Sequence, residues 1–372
     1  MTTDRTRVDA EKLTDFTTKA LQKVGIPEED AQITAHMLVV ATDLRGVDTH
    51  GVARLARYVS GIKEGLINVK PETKIFSQVP STAAMDGDQG LGFVVGYRAM
   101  MEAIHRAEKT GAGFIAVRNS NHFGAAACYA MMALEHDMIG IAMTNARTTC
   151  VVAPGSTKPA VDTNPLAVAA PAGKKAPFVL DMATSVVAFG KLLLARMAGA
   201  SIPIGWAIDK EGMPVTNPAK AISNRVRGEG GLLPLGGTPT LGAYKGFGLG
   251  VLVDILCGVL SGSSASILKE SAPETRRNTD HFFGALRIDS FLPVENFKKS
   301  MDEMIEAFEA LPTLPGVKKI YVAGGYEAEI EKDRKANGIP LNSKVIQELQ
   351  ELAKELGIEY DLFHISPSER KL

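Results

Sequence analysis

A mixed α/β fold, helical at its N-terminus and sheet-rich in its centre, is the class that this 372-residue chain predicts. Three observations lead there. From Asp9 to Leu44 apolar residues recur at helical spacing, whereas beyond Tyr129 they fall into short stretches separated by Pro and Gly turns. The length also exceeds the size at which one core usually stops growing, which favours two or three packed lobes.

The first segment divides into two helices, with Pro27-Glu-Glu-Asp30 opening the second, because proline and acids suit a first turn. A third helix is expected from His50 to Lys63, ending at Gly65, followed by an extended passage from Pro71 to Ala84. Asp86-Gly-Asp-Gln-Gly-Leu-Gly92 is a turn cluster, and Phe93 to Thr110 is a long amphipathic helix closed by Gly111. The apolar run Gly113 to Val117 reads as a strand that gives way to a helix near Gly124. Ile139 to Met143, Leu166 to Ala170 and Phe178 to Leu180 read as further strands. Thr184 to Ala198 reads as a helix, and Ile204 to Pro239, rich in Gly and Pro, as surface loop. An apolar helix from Lys245 to Leu260, a short strand from Leu286 to Asp289, and helices from Val294 to Leu311 and Ser343 to Leu356 complete the pattern. The expected division is one lobe of residues 1–125 plus 287–372 and a second of residues 126–286.

Lys plus Arg is 41 and Asp plus Glu is 42, with no long run of either sign, so nothing attracts nucleic acid or an anionic membrane. Cys128, Cys150 and Cys257 are widely spaced among apolar neighbours and read as reduced core residues of a cytoplasmic protein. The charged N-terminus lacks a following apolar stretch, and the run from Gly248 to Leu260 is broken by Asp254, so neither a secretory signal nor a membrane span is expected.

Four constellations carry chemistry. His122, in Asn119-Ser-Asn-His-Phe-Gly124, sits at the strand-to-helix junction with Asn119, Asn121 and Tyr129 near it in sequence. A helix N-terminus aimed at the ring would favour neutral imidazole and suit a general base, although a lone histidine can equally be structural. If Thr49 caps the third helix, then His50, Arg54 and Tyr58 share one face, where the Arg54 fork suits a carboxylate, or the face is simply solvated. Asp181 ends a strand before Met182 and Ala183, as a ligand contact or a helix cap. Gly242 to Gly250, carrying Lys245, is either a phosphate cradle or a tight packing surface. No complete G-x-G-x-x-G unit, phosphate-binding loop, zinc motif, serine-hydrolase elbow or calcium loop occurs, and the reading needs no metal.

Taken together, Arg45-Gly-Val-Asp-Thr-His-Gly51, Asp86 to Gly92, Asn119 to Gly124, Thr163-Asn-Pro165, Asp181 to Ser185, Tyr244-Lys-Gly246 and His281-Phe-Phe-Gly-Ala-Leu286 resemble the malate/L-lactate dehydrogenase family, which includes ureidoglycolate and sulfolactate dehydrogenases. The similarity runs over nearly the whole chain. It implies a homodimer with a non-Rossmann nicotinamide-binding fold, NAD or NADP as cofactor, and a small carboxylate substrate. It also implies that His122 is the acid/base and that Thr49, His50, Arg54 and Tyr58 hold the substrate. Asn145, Asp181, Met182 and Ala183 would touch the cofactor, as would Lys245, His281, Phe282, Phe283 and Gly284. The chain departs from the pattern at Pro154-Gly-Ser-Thr-Lys158, at Asp162 before Thr163-Asn-Pro165, and at Val322-Ala-Gly-Gly325. The expected reaction is hydride transfer between nicotinamide and C2 of a 2-hydroxy acid or 2-oxo acid. A cyclic imine 2-carboxylate reductase and a non-catalytic ligand binder are the alternatives.

Overall fold

The structure, a computed structural model, describes residues 5–146, 148–269 and 278–363; the remainder of the expected C-terminal lobe, 364–372, lies outside them. The helices are α1 (Ala10–Lys23), α2 (Glu28–Leu38), α3 (Leu55–Lys63), α4 (Gly92–Thr110), α5 (Ala127–Met132), α6 (Phe189–Met197), α7 (Pro218–Arg227), α8 (Ala243–Asp254), α9 (Ser266–Lys269), α10 (Val294–Glu309), α11 (Gly325–Asn337) and α12 (Ser343–Leu356). The strands are β1 (Arg5–Val8), β2 (Lys74–Val79), β3 (Thr82–Asp86), β4 (Ala112–Ser120), β5 (Met138–Thr144), β6 (Val151–Val152), β7 (Pro159–Val161), β8 (Leu166–Ala170), β9 (Phe178–Met182), β10 (Ala207–Asp209), β11 (Gly230–Leu232), β12 (Thr279–Arg287) and β13 (Ile339–Asn342).

A seven-stranded sheet, ordered β2-β3-β4-β12-β5-β8-β9, forms the centre and draws strands from both expected lobes. All its pairings are antiparallel except β3 with β4. Side chains alternate across it with period two. Phe283 faces the main core with α4 and α5, while the neighbouring Phe282 faces Val253 and Cys257 at the end of α8. Gly113 lets α4 lie directly on β4, since any side chain there would overlap the Ala103 carbonyl. A second core, around Cys150, Val161, Leu192, Val215 and Leu232, lies beneath a four-stranded sheet ordered β10-β11-β6-β7. The chain ends meet in β1 and β13, which pair antiparallel from Val8 with Ile339 to Arg5 with Asn342. All three cysteines are free and buried. Among the described residues no helix is long and apolar enough to cross a membrane.

Several expectations need correction. The third helix starts at Leu55, after a single tight turn over Val52–Arg54, and Arg54 rather than Thr49 occupies the cap position. The cause is Asp43, whose carboxyl takes the Val52 N–H at 2.9 Å and bends the chain before the helix can start. The helix after His122 begins at Ala127, because Gly124 adopts a positive φ of 80°. The Thr184 helix begins only at Phe189, since Ser185 forms a bridge to Pro234 and its hydroxyl bonds the Val187 carbonyl. The passage from Ile204 to Pro239 is not simply loop: it contributes β10, α7 and β11 to the second core, with Asn217 capping α7 through the Lys220 N–H. The short strand at Leu286 is the end of the longer β12, which is central in the sheet. Helix α11 was not foreseen, being mostly polar with Arg334 its buried member.

Candidate active site

His122 lies on the loop leaving β4, and that loop is fastened on three sides. Asn119, at a positive φ of 55°, donates to both Asp86 carboxylate oxygens (3.1 and 3.0 Å) and accepts from Asn278 (2.8 Å). Asn121 donates to the carbonyls of Gln89 (2.7 Å) and Gly90 (3.0 Å). The Tyr129 hydroxyl donates to the Phe123 carbonyl at 2.5 Å, and the Phe123 ring stacks between Tyr129 (4.7 Å) and His281 (4.5 Å). Asn119, Asn121 and Tyr129 thus hold the loop, and His122 is its half-buried member whose ring meets Tyr58 and His50.

The substrate constellation does converge on His122, although not along one helix face. The Tyr58 hydroxyl bonds His122 Nδ1 at 2.8 Å, and the His50 ring stacks against the His122 ring at 5.9 Å and 14°. The Gly124 N–H also points at Nδ1, at 3.3 Å, so Nε2 is the nitrogen without a protein partner among the described residues. Thr49 Oγ1 bonds His50 Nδ1 at 2.9 Å, and Arg54 Nε donates to the Thr49 carbonyl at 2.6 Å. The nearest part of α6 closes over this turn, since a side chain added at Gly190 would contact Thr49 at 3.6 Å.

The electrostatics favour an anion. Arg54 has no acid partner among the described residues, and burial, followed by the charge of Arg57, lowers its proton affinity. Burial, then the charges of Arg54, His50, Arg57 and His281, holds His122 well below the ordinary histidine range. His50 is pushed down to about 4 by burial and then by Arg54. A neutral imidazole is therefore the resting state, as the sequence suggested, but for another reason. The α5 N-terminus is not free to act on the ring, because Asp181 reaches across from β9 and accepts the Ala127 N–H at 2.9 Å. Asp181 is thus a cap, supplied from outside the helix.

The expected cofactor residues fall into two groups. Met182 and Ala183 are half-buried at the end of β9, and Lys245 is exposed in the first turn of α8. The two places are adjacent: the Leu235 N–H bonds the Thr184 carbonyl, and the Gly246 N–H bonds the Leu235 carbonyl. Within α8, Gly246 packs on Leu235 and Gly250 on Thr184, so these glycines serve close packing. Asn145, His281, Phe282, Phe283 and Gly284 are interior instead. Asn145 donates to Asp254 (2.9 Å) and accepts from the Asp280 N–H (3.0 Å) and Lys269 (3.4 Å). His281 bonds Thr144 through Nδ1 and Ser120 through Nε2, each at 2.8 Å, and burial pushes its pKa down to about 3. Phe282 and Phe283 fill opposite faces of the sheet, and Gly284 leaves room for the Phe114 ring.

The sequence departure at Asp162 is a buried junction. Its carboxylate accepts from Cys150 Sγ (3.1 Å), Thr148 Oγ1 (3.3 Å) and the Thr163 N–H (2.6 Å) and lies 3.8 Å from Arg225, which stacks on the Phe189 ring. Sequence reasoning also missed Asp43 beneath the Thr49 turn. The available signal was a lone carboxylate within the apolar run Leu38 to Leu44.

Residues 8–350 match the malate/L-lactate dehydrogenase family. Malate dehydrogenase of Pyrococcus horikoshii is 46% identical over 355 residues, covering 95% of this chain and 96% of that protein. L-sulfolactate dehydrogenase of Methanocaldococcus jannaschii is 39% identical, covering 92% and 94%. The crystal structure of malate dehydrogenase from Entamoeba histolytica superposes with a TM-score of 0.92 at 34% identity, covering 96% of this chain and 99% of that one. The chain belongs to the malate/L-lactate dehydrogenase family and is an enzyme of the hydroxy acid dehydrogenase type.

Proposed function

We propose that this member of the malate/L-lactate dehydrogenase family interconverts a small 2-hydroxy acid and its 2-oxo acid with NAD or NADP, through His122 as acid/base. The observation that carries this reading is the Arg54 guanidinium, half-buried beside a neutral His122 and lacking an acid partner among the described residues. A partly desolvated cation without a counter-ion carries a cost, and a substrate carboxylate relieves it.

Arg54 Nε is already committed to Thr49, which leaves its two terminal nitrogens for an end-on, bidentate grip on the carboxylate. His50 and Thr49 line the same turn. For Nε2 to exchange the proton, Nδ1 keeps its own and donates it to the Tyr58 oxygen, so the 2.8 Å contact has the same direction in the neutral and the charged ring. Nε2 then faces the substrate oxygen. In reduction, protonated His122 delivers the Nε2 proton to the oxygen at C2; in oxidation, the neutral ring takes it back. The arriving anion offsets the field of Arg54, the strongest of the charges acting on His122, so substrate binding itself raises the ring's proton affinity.

The donor set at the cofactor position fits a dinucleotide. Met182 and Ala183 offer apolar surface for a flat ring, and Lys245, in the first turn of a twelve-residue helix, suits a phosphate. When bound, the nicotinamide supplies or takes up the hydride at C2. Asn145 and residues His281 to Gly284 act from behind, by fixing the sheet and the His122 loop. We read the protein as a homodimer, supported by the exposed apolar side chains Leu241, in the turn before α8, and Tyr244, Leu252, Ile255 and Val259 along α8 and its continuation. A cytoplasmic setting agrees with three unpaired cysteines.

The test is the loss of reduced-nicotinamide absorbance with NADH and NADPH in parallel. The panel is pyruvate, oxaloacetate, a sulfonated 2-oxo acid, a bulky 2-oxo acid and a cyclic imine 2-carboxylate. Saturable oxidation with a 2-oxo acid supports the reading. Activity on the imine alone would reassign the chemistry, and bound cofactor with no turnover on any member would make the protein a binder.

A further inference from the structure

We propose that Asp43 is a positioning residue for substrate binding: its carboxyl is the seat on which the Thr49–Arg54 turn rests, and it sets the direction in which Arg54 points. The inference rests on the reading of Arg54 as the carboxylate anchor. Asp43 ends a widened turn, Val39–Asp43, that continues α2; the Leu44 N–H reaches back to the Val39 carbonyl at 2.8 Å. Such local widening is rare and recurs at functional sites. Here it brings a carboxyl that is 1% exposed beneath the turn.

The contact is close on both sides. Asp43 Oδ2 accepts the Val52 N–H at 2.9 Å, and a side chain on Gly51 would overlap the carboxyl itself. From Gly51 the path to Arg54 is short: the Arg54 N–H bonds the Gly51 carbonyl at 3.0 Å, and Arg54 Nε bonds the Thr49 carbonyl. Helix α11 presses this assembly together from outside. Arg334 donates to the Asp43 carbonyl (2.6 Å) and to Asp48 (2.5 Å), Glu331 pairs with Arg45 at 3.0 Å, and Ile330 lies over Gly46, where an added side chain would meet it at 3.1 Å. On the other side, Thr42 meets Cys128 of α5 at 3.2 Å. Arg54 is therefore aimed by a buried carboxyl that never touches the substrate.

The seat is sensitive to protonation. The groups facing the carboxyl are Asp48 on the turn and Arg334 on α11, with the Arg45–Glu331 pair beyond them; Cys128 is held protonated by burial. Arg334 bonds the Asp43 carbonyl and Asp48, so among the described residues no cation pairs directly with the Asp43 carboxyl. Burial then raises Asp43 to about 8. Below that pH the carboxyl is neutral and packs flush against Gly51. Above it a buried charge forms under the turn, and the grip of Arg54 on the substrate loosens.

The experiment compares wild type, Asp43→Asn, Asp43→Ala and Arg54→Met as full-length proteins, using NADH and the best 2-oxo acid from the panel, across pH 8. Asparagine mimics the neutral carboxyl. Asp43→Asn should match wild type below pH 8 and lack the rise in KM that wild type develops above it. Asp43→Ala should raise KM about tenfold at every pH, the order expected for one lost buried hydrogen bond, with little change in kcat or in NADH affinity by fluorescence. If Asp43→Ala fails to fold, the Asn comparison still decides. A wild-type KM that is flat across pH 8, or one that rises equally in Asp43→Asn, overturns the proposal. If Arg54→Met leaves KM unchanged, the anchor reading fails instead, and the two failures are distinguishable.

Discussion

Replacing Arg54 by methionine separates a functional cation from a structural one, because the two roles move activity and stability in opposite combinations. Methionine fills similar apolar volume and removes the charge. With Nε held by Thr49 at 2.6 Å, two terminal nitrogens remain for the substrate. Hydrogen bonds between charged partners are worth about 1.5–3 kcal/mol each, so losing two removes roughly 3–6 kcal/mol of binding to the carboxylate. At about 1.4 kcal/mol per tenfold, kcat/KM should fall by about two to four orders of magnitude. Arg54→Lys keeps the charge but presents one bond where the fork presents two, and should recover about half of that loss on a logarithmic scale. In the free protein, Arg54 is half-buried without an acid partner among the described residues, so its removal costs little beyond the Thr49 contact, and the Tm of Arg54→Met should stay within a few degrees of wild type. Steady-state NADH oxidation at neutral pH and thermal unfolding of the ligand-free protein measure the two quantities. An Arg54→Met enzyme within threefold of wild type in kcat/KM, or one that loses activity only in proportion to a lowered Tm, would refute the reasoning.

Other predictions follow from the same geometry. His122→Asn should reduce turnover by at least three orders of magnitude while fluorescence titration gives an NADH affinity within a factor of three; lost cofactor affinity would make the ring a scaffold. Tyr58→Phe removes the 2.8 Å contact at Nδ1 and should lower kcat by roughly ten- to a hundredfold, consistent with about 1.5–3 kcal/mol for a bond to a ring that becomes charged. Because His122 lies well below its ordinary value in the free protein, kcat/KM for oxidation should stay flat as pH falls through 6.5 and decline only below it. In the same experiment kcat, which reports the substrate complex, should show its limb at higher pH. Coincident limbs would contradict the neutralisation of Arg54 by substrate.

Periodicity located what local chemistry decides. Phe93 to Thr110, closed by a left-handed Gly111, and Ser343 to Leu356 follow from amphipathic spacing and caps written within the segments themselves. The start of α3 does not, because the carboxyl that takes the Val52 N–H lies nine residues upstream, in a different helix. The neutral state of His122 was legible but its cause was not. Burial and the approach of Arg54, His50 and Arg57 are products of packing, whereas the nearby helix terminus that seemed responsible from the sequence is occupied by Asp181 from another strand. Helix α11 is not legible in the sequence because it works through polar groups: Arg334 and Glu331 carry its contacts with residues 43–48, and the apolar share falls to Ile330.

The pairing of β1 with β13 bears on the order of events during synthesis. Val8 leaves the ribosome long before Ile339 and must wait for it before its backbone groups are satisfied, and the long separation makes that closure slow. The sheet strands that hold the His122 loop can assemble meanwhile, since β4, β5 and β12 all precede α10. Arg54 is different, because its turn is pressed into place by α11. A nascent chain that has not yet delivered α11 thus holds the His122 loop in position while the Arg54 turn is still unset, and on the proposed reading the grip on the acid would form only once α11 has followed.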